Sequence, residues 1–168
     1  NLFIIRGDEL LTPPLSAGAL YGITRGVVMD LGRAAGLRVR EPELTRYDVF
    51  IEQYVIKVNI EAETAYDIAK TMLMPAAIRY LGEIKNAAPQ LAGPIEELVG
   101  EFDGAIAKLE TANLDQSHPS EIVAEADYMR DGVLPAIEDV REVADKLERV
   151  VADDLWPLPK YSEMLFVK

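Results

Sequence analysis

The sequence predicts a mainly α protein: a three-helix antiparallel hairpin bundle of long kinked helices with a small N-terminal α/β fragment. Three observations carry this. The period of the apolar residues changes from two to about 3.6 near residue 45. Long stripes at helical spacing then follow, broken only by short loops. Charge and composition change at nearly the same place, since residues 1–50 hold six arginines and six acids while the whole excess of −12 lies beyond Phe50. The first lysine is Lys57. The expected organisation is an α/β fragment over 1–45 and a helical bundle over 46–168.

The first fragment is punctuated for strands. Apolar runs at 2–5 and 9–11 flank the turn Arg6-Gly7-Asp8, which predicts a small hairpin. Thr12-Pro13-Pro14 ends it, because two prolines remove two backbone donors. Val27, Val28, Leu31, Ala34 and Ala35 predict a short helix over 24–35, with Gly36 where a C-terminal stop belongs. Residues 37–43 alternate Leu, Arg, Val, Arg as a half-buried strand does, and Pro42 puts that strand at an edge or marks its end.

Thr45-Arg46-Tyr47-Asp48 has the form of a capping box. The stripe Tyr47, Phe50, Tyr54, Val58, Ala62, Ala65, Ile68, Ala69, Met72 predicts a helix over 45–87, kinked at Pro75 where one intrahelical hydrogen bond is lost. A second helix is expected over 90–113 along Ile95, Leu98, Phe102, Ile106 and Leu109. A third begins near Ser117 and runs to about 154 on the seam Val133, Ile137, Val140, Ala144, Leu147, Val151. Met74-Pro75-Ala76-Ala77-Ile78 and Leu134-Pro135-Ala136-Ile137 echo each other 60 residues apart, so matched kinks would let two long helices bend together.

Composition excludes much chemistry. With 17 basic and 29 acidic residues, the chain repels phosphate backbones and anionic headgroups, so neither nucleic acid nor membrane is an expected partner. No apolar run approaches the roughly 18 residues that span a bilayer, and the opening residues lack a leader pattern, which predicts a soluble, cytoplasmic protein. Zero cysteines remove disulfides and thiolate nucleophiles, and His118 is the single histidine, so no metal site is expected. His118 reads as a solvated residue at a helix start. Asp153 and Asp154 do not converge, nor do Glu61 and Glu63, because neighbours on a helix diverge by about 100°. Asn59 and Glu61 interrupt an apolar run, which fits either pairing within the bundle or a contact with another domain. Trp156 is expected to pin the tail, its indole N–H needing an acceptor.

The most specific local element is Gly22-Ile23-Thr24-Arg25. A glycine at a helix mouth leaves backbone N–H groups free, Thr24 adds a hydroxyl, and the helix dipole favours an anion. The alternative is a glycine turn capped by threonine. No catalytic residue is identified.

The elements Asn1-Leu2-Phe3-Ile4-Ile5, Leu11-Thr12-Pro13-Pro14-Leu15, Gly18-Ala19-Leu20-Tyr21-Gly22-Ile23-Thr24-Arg25 and Glu43-Leu44-Thr45-Arg46 resemble the C-terminal half of branched-chain, fold-type IV, pyridoxal-phosphate-dependent aminotransferases. The likeness covers residues 1 to about 50. It implies that Gly22, Ile23 and Thr24 are a residual cradle for the pyridoxal phosphate group. It also implies that the Schiff-base lysine lies upstream, and a lysine-free segment cannot replace it. No cofactor is therefore expected beyond weak binding of pyridoxal phosphate or another small anion.

A second set resembles the C-terminal helical region of type III glutamine synthetases over 46–168. It comprises Arg46-Tyr47-Asp48-Val49-Phe50-Ile51-Glu52-Gln53-Tyr54, Asn59-Ile60-Glu61-Ala62-Glu63, Met74-Pro75-Ala76-Ala77-Ile78-Arg79-Tyr80 and Asp154-Leu155-Trp156-Pro157-Leu158-Pro159-Lys160-Tyr161. That family's ATP, metal and glutamate ligands lie upstream of this region, so none carries over. A chimera, joined at the helix start the two families share, is the economical account. The expected function is non-catalytic, a helical structural or oligomerisation role. The alternatives are a fragment of the ligase or transaminase that needs missing chain, and a weak phosphate-binding module. Self-association is expected through strand edges and uncovered Phe3, Ile4 and Ile5.

Overall fold

The computed structural model describes residues 2–113, 118–119, 121–160 and 163–164. Asn1, Ser117 and Tyr161, which stand in motifs named above, lie outside the described residues. The chain is mainly α with a small N-terminal sheet. It divides into two compact units, Asn1–Ile56 with Pro119–Ala126, and Lys57–His118 with Asp127–Lys168.

In the first unit, β1 (Ile4–Arg6) and β2 (Glu9–Leu11) form the expected antiparallel hairpin, with Ile5 opposite Leu10 and the turn led by Gly7 at φ 55°. β3 (Arg38–Arg40) pairs with β2 in parallel, lies at an edge of the sheet and ends before Pro42, consistent with either expectation for that proline. Parallel neighbours need a crossover, and α1 (Ile23–Ala34) provides it. α1 packs closely on β2: a Cβ at Gly32 would stand 2.6 Å from Leu10 Cδ2. It ends where expected, with Gly36 at φ 85°, Leu37 N–H bonded to Gly32 C=O and Gly36 N–H bonded to Arg33 C=O.

Alternation along β1 buries Ile4 and exposes Ile5, and Phe3 is half-buried, so the expected uncovered trio is reduced to one residue. The larger departure is in α1. Arg25 and Gly32, seven residues apart on one face, are buried, whereas Val27 and Leu31 point outward.

α2 (Arg46–Ile68) starts on the capping box. Asp48 N–H donates to Thr45 Oγ1 at 3.2 Å, and Thr45 N–H donates to Asp48 Oδ2 at 2.7 Å. The expected inward stripe holds at Val58, Ala62 and Ala69, which are buried, and is corrected elsewhere: Tyr47, Phe50, Tyr54 and Met72 are exposed, and Glu52 and Val55 are buried instead. The buried face carries Val55, Val58 and Ala62 together with Glu52, whose carboxylate is paired there, Arg6 Nε on β1 donating to Glu52 Oε1 at 2.9 Å.

The second unit is a helical hairpin structure. α3 (Met74–Ala87), α4 (Gly93–Ala112), α5 (Ile122–Tyr128) and α6 (Leu134–Val150) are its remaining α-helices, α5 beginning in the first unit. Lys108 lies 3.6 Å from Asp139 and Lys146 3.9 Å from Glu101, which makes α4 and α6 antiparallel. Lys85 reaches Glu96 at 2.7 Å across the α3–α4 turn. Phe102, Ala105, Ile106 and Leu109 meet Val133, Ala136, Val140, Val143 and Leu147 in a three-four seam. Ala136 and Val143 thus take the core places expected of Ile137 and Ala144. Trp156 is buried, as expected of a tail anchor.

Neither long helix carries a simple proline kink. Five-residue π-helical segments, Ala69–Leu73 and Met129–Val133, sit immediately before Met74-Pro75 and Leu134-Pro135. Each closes with an N–H five residues on, Met74 to Ala69 and Leu134 to Met129. A proline in an α-helix collides with the carbonyl four residues back, and widening the turn relieves that contact. The echo seen in the sequence is therefore a repeated α–π–α device. Burial matches across it, with Ala62, Ala69, Leu73 and Ala76 in one copy and Ile122, Met129, Val133 and Ala136 in the other.

Candidate functional site

The mouth of α1 opens on a cleft of about 270 Å³ lined by Leu15, Tyr21, Gly22, Ile23, Arg25, Gly26, Met29 and Glu41. Gly22 is the N-cap, extended at φ −148° and ψ 154°, and no side chain caps the helix. The first helical bond runs from Gly26 N–H to Gly22 C=O at 3.2 Å, so the N–H groups of Ile23, Thr24 and Arg25 precede it. Thr24 is the second helical residue, exposed, and makes no cap bond.

Arg25 does not face the cleft as a free cation. It is buried, and Nη1 donates to Thr12 Oγ1 at 2.6 Å while Nη2 donates to Pro13 C=O at 2.7 Å and to Glu41 Oε2 at 2.9 Å. Thr12 Oγ1 in turn donates to Leu2 C=O at 2.8 Å, and Thr12 N–H donates to Arg40 C=O at 3.1 Å. The Thr-Pro-Pro and Gly-Ile-Thr-Arg elements are thus one clasp holding the end of β2 against α1. The mouth of α1 is left with three backbone N–H groups and the dipole of a twelve-residue helix, opposed by the partly exposed Glu41 carboxylate that Arg25 neutralises, while Thr24 is exposed and does not line the cleft. Free N–H groups and a helix dipole favour negative charge at such a helix mouth.

Of the residues expected from the sequence, Gly22 and Ile23 line the cleft and Thr24 does not, while Glu41, Tyr21 and Met29 line it without having been expected. The signal for Glu41 was present: a buried arginine needs a carboxylate, and one from the edge strand's end is within reach.

The other candidates stay apart. Asp153 pairs with Lys160, and Glu61 lies 3.8 Å from Lys57. Asn59 is half-buried, its Oδ1 without a hydrogen-bond partner among the described residues. Glu63 lines a groove of about 330 Å³ with Tyr66, Asp67, Leu109, Glu110 and Asn113. Hydrogen bonding to Glu110 raises the Tyr66 phenol above its ordinary value, so its proton stays in place. His118 is half-buried, its ring 5.5 Å from that of Tyr128, rather than simply solvated. Among the described residues no helix is long and apolar enough to cross a membrane.

Residues 1–59 match the family model described as Amino-transferase class IV. The chain is 36% identical over 63 residues to a branched-chain-amino-acid aminotransferase of Escherichia coli strain K12, covering 38% of this chain and 20% of that one. It is also 27% identical over 148 residues to a glutamine synthetase of Bacteroides fragilis, covering 76% of this chain and 20% of that protein. A type-3 glutamine synthetase of Dictyostelium discoideum is 25% identical over 151 residues, covering 74% of this chain and 20% of its own. The chain spans about a fifth of the length of these curated relatives. The shares together exceed the whole chain, so the two likenesses overlap, as in a chimera of the two. No solved structure matches.

Proposed function

We propose that this chain is a non-catalytic chimeric protein, a helical structural and oligomerisation element of the glutamine synthetase type carrying an aminotransferase-type α/β fragment. The observation that carries the reading is the overlap of two likenesses in a chain spanning a fifth of either relative. The chemistry agrees, since residues 1–56 contain no lysine and the arginine at the helix mouth is occupied by Thr12, Pro13 and Glu41. The protein is read as cytoplasmic, and its net charge of −12 favours solubility.

The direct test is activity. Purified chain supplied with pyridoxal phosphate, a branched-chain amino acid and a 2-oxo acid should transaminate no faster than free cofactor. With ATP, glutamate and ammonia it should make no glutamine. Turnover in either assay overturns the reading. The fifth-length coverage favours one second reading, a piece of a working ligase or transaminase that regains activity once the missing chain is supplied. Mixing the chain with the complementary part of either relative tests it.

The bare first turn of α1 supports a residual role as well. Gly22, Ile23 and Thr24 would hold the phosphate of pyridoxal phosphate, or inorganic phosphate, through backbone N–H groups and the Thr24 hydroxyl. The residues fit the phosphate group alone. Two or three such bonds without a free cation give millimolar affinity, worth about 4 kcal/mol. Titration followed by amide shifts should move Ile23 and Thr24 first. Shifts elsewhere with those two still would leave the turn purely structural.

A further inference from the structure

We infer that α1 is the contact helix of a symmetric dimer, its exposed apolar ridge packing antiparallel on the same ridge of a second copy. The inference gives the oligomerisation reading above its surface, and so rests on it. Ile23, Val27 and Leu31 stand at four-residue steps on the side of α1 turned away from the sheet, 90%, 50% and 63% exposed. Leu20 and Tyr21, at 76% and 90%, extend the ridge past the helix start. Arg25 and Gly32, on the opposite side, are the residues that meet the rest of the first unit.

A ridge of this size matches the largest apolar patch of a typical monomer, which is often functional. At about 60–120 Å² of apolar area per side chain, these five present roughly 300–600 Å², the size at which patches mark interaction sites. With flanking Leu15, Asp30 and Arg33 it moves toward the roughly 600–800 Å² per partner at the low end of stable interfaces. A second copy suits it for two reasons. The ridge is nearly symmetric about Val27, so a two-fold axis there sets Ile23 against the partner subunit's Leu31 and Tyr21 near the partner subunit's Arg33. Residues 1–50 carry no net charge, so this end of the molecule approaches its copy without the repulsion the remaining −12 imposes.

The test uses the full chain across 1–100 μM in sedimentation equilibrium. The expected mass rises toward twice 18.6 kDa. Val27→Glu, which sets two carboxylates at the axis, should weaken association at least tenfold while leaving helicity and melting unchanged. Ile23→Lys and Leu31→Glu should each do the same, and the double variant should restore the dimer, because each lysine then meets the partner's glutamate. The chain has no cysteine, so Val27→Cys provides one thiol, and mild oxidation should link two copies through it. A strict monomer at 100 μM overturns the inference, as does a dimer indifferent to Val27→Glu. A monomer that is also inactive leaves the non-catalytic reading standing, whereas an active chain of either mass removes that reading alone.

Discussion

The Arg25 guanidinium donates to the Thr12 hydroxyl at 2.6 Å, and through that contact the two most distinctive motifs of the N-terminal segment become a single structure. The arginine at the helix mouth is engaged in internal order. What remains for a ligand is backbone.

Arg25→Lys keeps the charge but loses the fork that reaches Thr12, Pro13 and Glu41 together. It should destabilise the first unit by about 1–3 kcal/mol, the cost of leaving a buried acceptor unpaired. Amide exchange in β1–β3 should quicken while α4 and α6 keep their protection. Thr12→Val removes the same contact from the other side, so the two changes should be less than additive in the double variant.

The glycines of α1 and its exit separate three effects. Gly26 is helical with open space where a Cβ would stand, so Gly26→Ala should stabilise by roughly 0.5–1 kcal/mol. Gly36→Ala should cost about 1–2 kcal/mol, since φ 85° is a left-handed conformation. Gly32→Ala gains helix propensity but drives Cβ to 2.6 Å from Leu10 Cδ2, so it should rank below Gly26→Ala. Denaturation midpoints should fall in the order Gly26→Ala, Gly32→Ala, Gly36→Ala.

The capping box predicts a pH dependence. Hydrogen bonds from the Thr45 hydroxyl and N–H hold the Asp48 carboxyl below its ordinary value of 3.8. A depressed folded value means that the contribution is fully present above the unfolded value and disappears as pH falls through the folded one. Stability should therefore decline below about pH 4 more steeply in the parent than in Asp48→Asn. Thr45→Ala should cost about 1 kcal/mol at neutral pH. Denaturant midpoints from pH 2 to 7 check both.

Much of this architecture was legible because it is local. The hairpin around Gly7, the stop at Gly36, the capping box and the stripe Phe102, Ile106, Leu109 each follow from a few neighbouring residues, and all are present. What was not legible depends on distant partners. Tyr47 and Phe50 look like core, yet they are exposed, and the buried face instead carries Glu52, whose partner Arg6 lies more than forty residues away. Val27 and Leu31 look like the buried face until Arg25 and Gly32 take it. The proline echo was visible, but the π turns that absorb it are a choice of hydrogen-bond register that composition does not specify.

Trp156 offers the sharpest separation of packing from hydrogen bonding. The side chain is 8% exposed, so burial was read correctly from the sequence, yet its indole Nε1 has no acceptor among the described residues. A buried donor without a partner costs about 1–3 kcal/mol, while the ring's apolar surface stabilises by more than that. Trp156→Ala should then lower stability by roughly 3–5 kcal/mol through the cavity it leaves. Trp156→Phe gives up some area but also removes the unpaired N–H, so the opposing terms should leave it within about 1 kcal/mol of the parent. Thermal melting of the two variants decides the matter. If Phe costs nearly as much as Ala, the indole N–H is bonded in solution and the ring is held by that bond as well as by its packing.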